Sequence, residues 1–160
     1  LLGVAQEGEA LKDMEKAYPT ALAFLRGAEE HGRRGEDLRT YGGRLLALSS
    51  LAERLADAGP ESTAAHSYGR FARNAVVQGA AAELFKAWAA TVRAGLAGTT
   101  AQIVLCLHDE LLVECDRDDA ERVAAVVDDA LQSTSAWWCA GSGVRLVSDT
   151  SVVACWADAK

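Results

Sequence analysis

A chain of 160 residues, half of them hydrophobic, can fill one domain with a core of its own. Its formal net charge of −7 argues against a protein that coats nucleic acid through bulk positive charge, although where the charges sit matters more than their sum. No apolar run approaches a membrane span and no signal-peptide pattern opens the chain, so no membrane partner is expected.

Leu1 to Gln6 is short and apolar and reads as the tail of an element that begins earlier. With Leu rather than Met at position 1, the chain is expected to be a piece of something longer. From Glu9 to about Arg34 the apolar residues recur at helical spacing: Leu11, Met14, Ala17, then Ala21, Leu22, Phe24, Leu25 and Ala28. Tyr18-Pro19 interrupts them, and proline belongs in a first turn, so a helix boundary is expected there. Gly32 to Arg44 is rich in Gly and Arg, but Glu29, Glu30, Glu36 and Asp37 lie close by. Solvated surface pairs account for those arginines, and no site is assigned. Leu45 to Ala58 reads as a short amphipathic helix, and Gly59-Pro60-Glu61-Ser62 as the loop that ends it. Ser62 or Thr63 is placed to cap a long helix running to about Leu96. On that helix Arg70, Asn74 and Gln78 are spaced four apart and form one row along its surface. Between His66 and Arg93 the charges are Arg70, Arg73, Lys86 and Arg93 against Glu83 alone, a locally basic stretch in an acidic chain.

Gln102 to Cys115 is the most informative stretch. Ile103 to Leu107 and Leu111 to Val113 are apolar arms without Pro or Gly, too close together to be anything but an antiparallel hairpin. The tip carries His108, Asp109 and Glu110, where a purely structural hairpin prefers Asn-Gly or a leading Gly. Asp tolerates the left-handed region, so the turn can form. Adjacent carboxylates on a stiff support suit a hard divalent cation such as magnesium; taken by itself, a charged tip is also what a solvated turn looks like.

After the hairpin, Asp118 with Glu121 resembles a capping box, and Ala120, Val123, Ala124, Val127, Ala130 and Leu131 line one face of a helix ending near Ser133. Trp137 and Trp138 are expected to fill the gap beside it. Val144 to Val147 and Ser151 to Cys155 read as closing strands. The cysteines at 106, 115, 139 and 155 form no CxxC pair and lack zinc-like spacing. They read as buried thiols in a reducing, cytoplasmic compartment. The fold class is α+β, with helices packed on a small antiparallel sheet centred on the hairpin.

A helix bearing R-x3-N-x3-Q-G, followed by an apolar strand ending in His-Asp-Glu, resembles the family A DNA polymerases, the DNA polymerase I-like group. In that family such a helix precedes the motif C hairpin of the palm. Tyr18-Pro19 before a helix, the T-x-x-G-R pattern of Thr40, Gly43 and Arg44, and the closing Ser151–Lys160 segment with its Trp156 are similar too. The ending and the Ala-, Gly- and Arg-rich composition look most like the actinobacterial bifunctional 3′–5′ exonuclease/DNA polymerases, which would make the chain bacterial. The resemblance runs from about Ala17 onward. It makes residues 1–160 the C-terminal part of a family A polymerase domain and a partial palm, with a helical segment over 9–96 and the hairpin, helix and closing strands over 102–160.

The resemblance implies DNA-directed nucleotidyl transfer from a dNTP to a primer 3′-hydroxyl, with two Mg2+ ions in the complete enzyme. Asp109 would be a metal ligand and catalytic, with Glu110 a supporting catalytic carboxylate. His108 would lie near the primer-terminal backbone. Arg70, Asn74 and Gln78 would bind DNA by reading minor-groove acceptors common to all correct pairs. The partners implied are primer–template DNA, a dNTP and the upstream remainder of the same polypeptide. The family's other metal-binding aspartate and its dNTP-gripping helix have no counterpart in the chain, so the fragment alone is expected to be inactive. A non-catalytic palm-like remnant that binds DNA or protein is the alternative. An unrelated acidic helical domain is a third reading, which would lack a hairpin at Leu107–Leu111.

Overall fold

The computed structural model describes residues 4–159. The first three residues of the expected Leu1–Gln6 tail lie outside these, and from Val4 the backbone is already helical. Helix α1 (Val4–Ala17) ends at Tyr18, and α2 (Pro19–Arg34) starts with proline in its first turn. The ring fixes φ there, and its missing N–H would have had no partner in any case. Gly35, left-handed at φ 67°, ends α2, and its N–H returns to the carbonyl of Gly32.

Strands β1 (Leu38–Arg39) and β2 (Leu45–Leu46) pair antiparallel across a turn built on Thr40 to Arg44. Leu45 and Leu46 therefore do not open a helix as expected, because β1 takes up their backbone groups. A 3-10 turn over Ser49–Leu51 follows, and only Ala52–Ala58 is α-helical (α3). Asp37 ties the start of β1 to this turn. Its carboxylate accepts the N–H groups of Ser49 and Leu48, both at 2.7 Å, and these bonds hold its pKa below the usual aspartate value.

Helix α4 (Thr63–Gly95) is continuous over 33 residues. The Ser62 hydroxyl caps it by accepting the Ala65 N–H at 3.1 Å. The chain divides into two compact units, Leu1–Ala80 and Ala81–Lys160, and α4 runs through the division.

In the first unit, α2 and α4 cross on glycine. A Cβ at Gly32 would stand 2.4 Å from the Tyr68 carbonyl oxygen and 2.5 Å from the Ala72 Cβ; one at Gly69 would meet Glu29 and Arg33. Arg73 crosses the same junction and donates to Glu29 at 3.1 Å, and Arg33 donates to the same carboxylate. Gly27, on α2 as well, has nothing within 4 Å of its would-be Cβ. The two glycines should therefore respond to alanine with opposite signs. Gly27→Ala should stabilise the protein by about 0.5–1 kcal/mol through helix propensity. Gly32→Ala should destabilise it by about 1–3 kcal/mol through overpacking. Denaturant midpoints of the two variants check this, and equal shifts would show that the crossing is not close.

In the second unit, β3 (Gln102–Leu107) and β4 (Glu110–Glu114) form the expected antiparallel hairpin, and α5 (Ala120–Trp138) covers one of its faces. The α+β class stands, and the hairpin at Leu107–Leu111 removes the all-helical alternative. The core is Trp88 and Val92 of α4 and Leu96 just past its end, against Val123, Val127, Ala130 and Leu131 of α5, with Ile103, Leu111 and Val113 of the hairpin packed on them. The Trp88 indole N–H donates to the Val127 carbonyl at 3.1 Å.

Several expectations about this unit are corrected. Helix α5 runs past Ser133 to Trp138, because Thr134 and Ser135 are buried and the Thr134 hydroxyl donates to Thr91 on α4. No side chain caps its start, and Asp119 pairs with Arg122 instead. Trp137 stacks edge-on against Trp138 but is 71% exposed, so it does not fill a gap. Val144–Val147 and Ser151–Cys155 are not strands. A strand needs a ladder partner, and among the described residues these segments have none. Leu146 packs on the core, while Ser148 and Thr150 are held by Asp128. The thiols are not buried: Cys106 and Cys155 are exposed, Cys115 and Cys139 intermediate. Among the described residues no helix is long and apolar enough to cross a membrane.

Candidate functional site

The hairpin closes on two residues. Leu107 pairs with Glu110, leaving His108 and Asp109 as the tip. His108 takes the positive φ, at 53°, and is the one non-glycine residue to do so among the described residues. The left-handed position thus falls on His108 and not on Asp109, because it is the first tip residue that must reverse the chain. Such a backbone costs on the order of 1–3 kcal/mol and persists where the surroundings impose it, commonly at functional sites.

A β-bulge between Ile103 and Leu105 re-aims the end of β3. Directly opposed residues share a face. Before the bulge Ile103 packs on the core with its partner Val113; after it Leu105 is opposed to Leu112, Cys106 to Leu111 and Leu107 to Glu110, and of these Leu111 packs on the core while Cys106 is exposed. Cys106 and His108 open onto one shallow groove, whose other wall is Phe85, Lys86, Ala89 and Arg93 of α4. Lys86 and Arg93 make that groove basic. The Thr100 hydroxyl donates to Asp116 at 2.8 Å and closes the base of the hairpin.

His108, Asp109 and Glu110 are all exposed, so the structure brings these three together at one tip. Two oxygen-donor carboxylates, Asp109 on the turn and Glu110 at the start of β4, are of the kind a hard cation such as magnesium takes. Among the described residues no group of three or more His, Cys, Asp or Glu could hold a metal ion. Asp109 and Glu110 could supply two oxygen ligands to such a cation.

In the first unit, Arg70, Asn74 and Gln78 are exposed along α4 as one row, with Phe71 and Val77 exposed beside them. Arg70 reaches back to the Ser67 hydroxyl at 3.4 Å, whereas Arg73 turns the other way to Glu29. One contact at the end of the row was not foreseen. Arg44, in the β1–β2 turn, donates to the carbonyl of Gly79 at 3.3 Å, immediately after Gln78. The bulge and the Lys86–Arg93 wall were also missed. An all-apolar run shows no slip in alternation, and a helix sequence does not say which cations face a neighbouring strand.

The model of DNA polymerase family A matches residues 4–158. The thermostable DNA polymerase I of Thermus thermophilus is 32% identical over 117 residues, which is 73% of this chain and 13% of the relative. DNA polymerase theta of Caenorhabditis elegans is 25% identical over 134 residues, 82% of this chain and 8% of the relative. The chain thus spans a small part of the curated relatives it matches. Among solved structures, the POL domain of Pol1 from M. smegmatis, in complex with DNA primer-template and dNTP, superposes with a TM-score of 0.66 at 22% identity. The match covers 83% of this chain and 23% of that one and is a likeness of fold. With the family model matching almost end to end and the helix row and hairpin tip in the expected order, the chain belongs to DNA polymerase family A.

Proposed function

We propose that this chain is the C-terminal part of a DNA-directed DNA polymerase domain and supplies one side of its active site. The observation that carries the reading is the His108-Asp109-Glu110 tip, a pair of exposed carboxylates held on a turn whose backbone is strained at His108. In the reaction the primer 3′-oxygen forms a bond to the α-phosphorus of a dNTP. The bond from that phosphorus to the departing pyrophosphate breaks, and the hydroxyl proton is lost. Two bound Mg2+ ions would supply acidification of the hydroxyl and neutralisation of the phosphate charge.

This chain's own residues bind and orient. Asp109 offers a metal-ligating carboxylate, and Glu110 stands beside it as a supporting acid. His108, on the basic groove with Lys86 and Arg93, faces the primer-terminal backbone. Arg70, Asn74 and Gln78 reach the minor groove, where acceptors are common to all correct pairs, and so hold DNA without demanding sequence. The partners are primer–template DNA, a dNTP and the rest of the polypeptide, in a bacterial cytoplasm. The DNA- and dNTP-bound state of the M. smegmatis fold relative supports this reading.

Primer extension with Mg2+ tests the proposal. The full-length polymerase should extend a primer, and the 160-residue chain alone should not, because it carries only part of the metal cage. Extension by the isolated chain would refute the half-site. A full-length protein that binds primer–template but never extends it would favour a non-catalytic remnant.

A further inference from the structure

The Thr40–Arg44 turn is tightly held within itself. The Thr40 N–H donates to the Arg44 carbonyl at 3.0 Å, the Arg44 N–H to the Thr40 hydroxyl at 3.1 Å, and the Gly43 N–H to the Thr40 carbonyl at 2.9 Å. Arg39 adds a bond to the Gly43 carbonyl at 2.7 Å, and Thr40 is buried. Against this turn α4 presents Gly79. A Cβ there would stand 2.7 Å from the Thr40 methyl carbon and 3.2 Å from the Arg44 guanidinium, which already bonds the Gly79 carbonyl. A rigid turn therefore grips α4 at the residue following Gln78. Glycine is the point where a long helix is conformationally weakest, and Gln78 beside it is exposed.

We propose that Thr40 and Arg44 are positioning residues: clamped on Gly79, they set where α4 holds Gln78 against the primer–template minor groove. This rests on the row reading given above. A misplacement of about 1 Å in a positioning group can cost on the order of 100-fold in rate, so loss of the clamp should be visible in turnover.

The test is a double-mutant cycle in the full-length polymerase, read by single-turnover incorporation from matched and mismatched primer ends. Gln78→Ala and Arg44→Ala should each slow incorporation from a matched end by about 10-fold or more. Each should also narrow the matched-to-mismatched ratio, and the double variant should be no worse than Gln78→Ala alone. Multiplicative effects, or an unchanged matched-to-mismatched ratio in Arg44→Ala, overturn the clamp. A silent Gln78→Ala overturns the row reading and the clamp with it.

A second pair of variants carries the test if Arg44→Ala does not fold. Gly79→Ala should push the turn away and reproduce the Gln78→Ala defect. Gly79→Ala with Thr40→Ser removes the obstructing methyl, keeps the hydroxyl that bonds Arg44, and should restore both rate and ratio. Failure of that rescue overturns the proposal.

Discussion

Asp109→Ala in the full-length polymerase is expected to reduce single-turnover nucleotide incorporation by at least about a thousandfold while primer–template affinity changes little. A metal ion contributes several kcal/mol of charge stabilisation in the transition state, and each 1.36 kcal/mol is a factor of ten. Asp109 is exposed on a two-residue turn and is not in the core, so the variant should fold normally. Glu110→Ala should be milder, since a supporting acid orients what the ligand holds. Near-normal incorporation by Asp109→Ala would remove the hairpin tip from the chemistry. A large loss of DNA affinity with incorporation intact would reassign Asp109 from catalysis to binding.

The second large effect is structural. Trp88 is 9% exposed at the centre of the second unit, with Phe85 packed edge-on against it at 5.7 Å and its indole N–H bonded to Val127. Trp88→Ala is expected to cost about 3–5 kcal/mol, through lost transfer energy and the cavity left behind. That is a large share of the 5–15 kcal/mol typical of a whole domain. Trp88→Phe keeps most of the volume and removes the donor. It should cost markedly less, about 1 kcal/mol for the hydrogen bond plus a small packing term. Equilibrium denaturation of both variants separates the two contributions. A loss below 1 kcal/mol for Trp88→Ala would mean that α4 and α5 do not share a core through this residue.

Features set by single residues or by short, strongly apolar stretches were legible in the sequence. The helix junction at Tyr18-Pro19 was readable because proline dictates its own φ. The Ser62 cap and the apolar arms of the hairpin were readable for similarly local reasons. The tip acids and the Arg70–Asn74–Gln78 row stand out by residue type and spacing, their proposed roles come from the resemblance to the family, and both are exposed.

What depends on a partner was not legible. Val144–Val147 has strand composition, but strand is a property of pairing, and among the described residues that segment has no strand to join. Leu45 and Leu46 went to a strand because β1 lies opposite them. The extension of α5 past Ser133 depends on Thr91 of another helix. Arg44 was set aside because four acids lie nearby. In the structure Glu36 pairs with Arg34 and Asp37 bonds backbone N–H groups, while Arg44 turns to a helix carbonyl. Composition near an arginine does not say which neighbour it chooses.

The central proposal is twofold: the His108–Glu110 tip holds a metal ion at the primer end, and the Arg70–Gln78 row binds duplex DNA. A crystal structure of the full-length polymerase with primer–template, an incoming dNTP and Mg2+ tests it most directly. Asp109 is predicted to ligate a metal ion at the primer terminus, and Gln78 and Asn74 to lie in a duplex minor groove. A structure in which Asp109 faces solvent away from the primer end, or in which that row contacts no DNA, would contradict it.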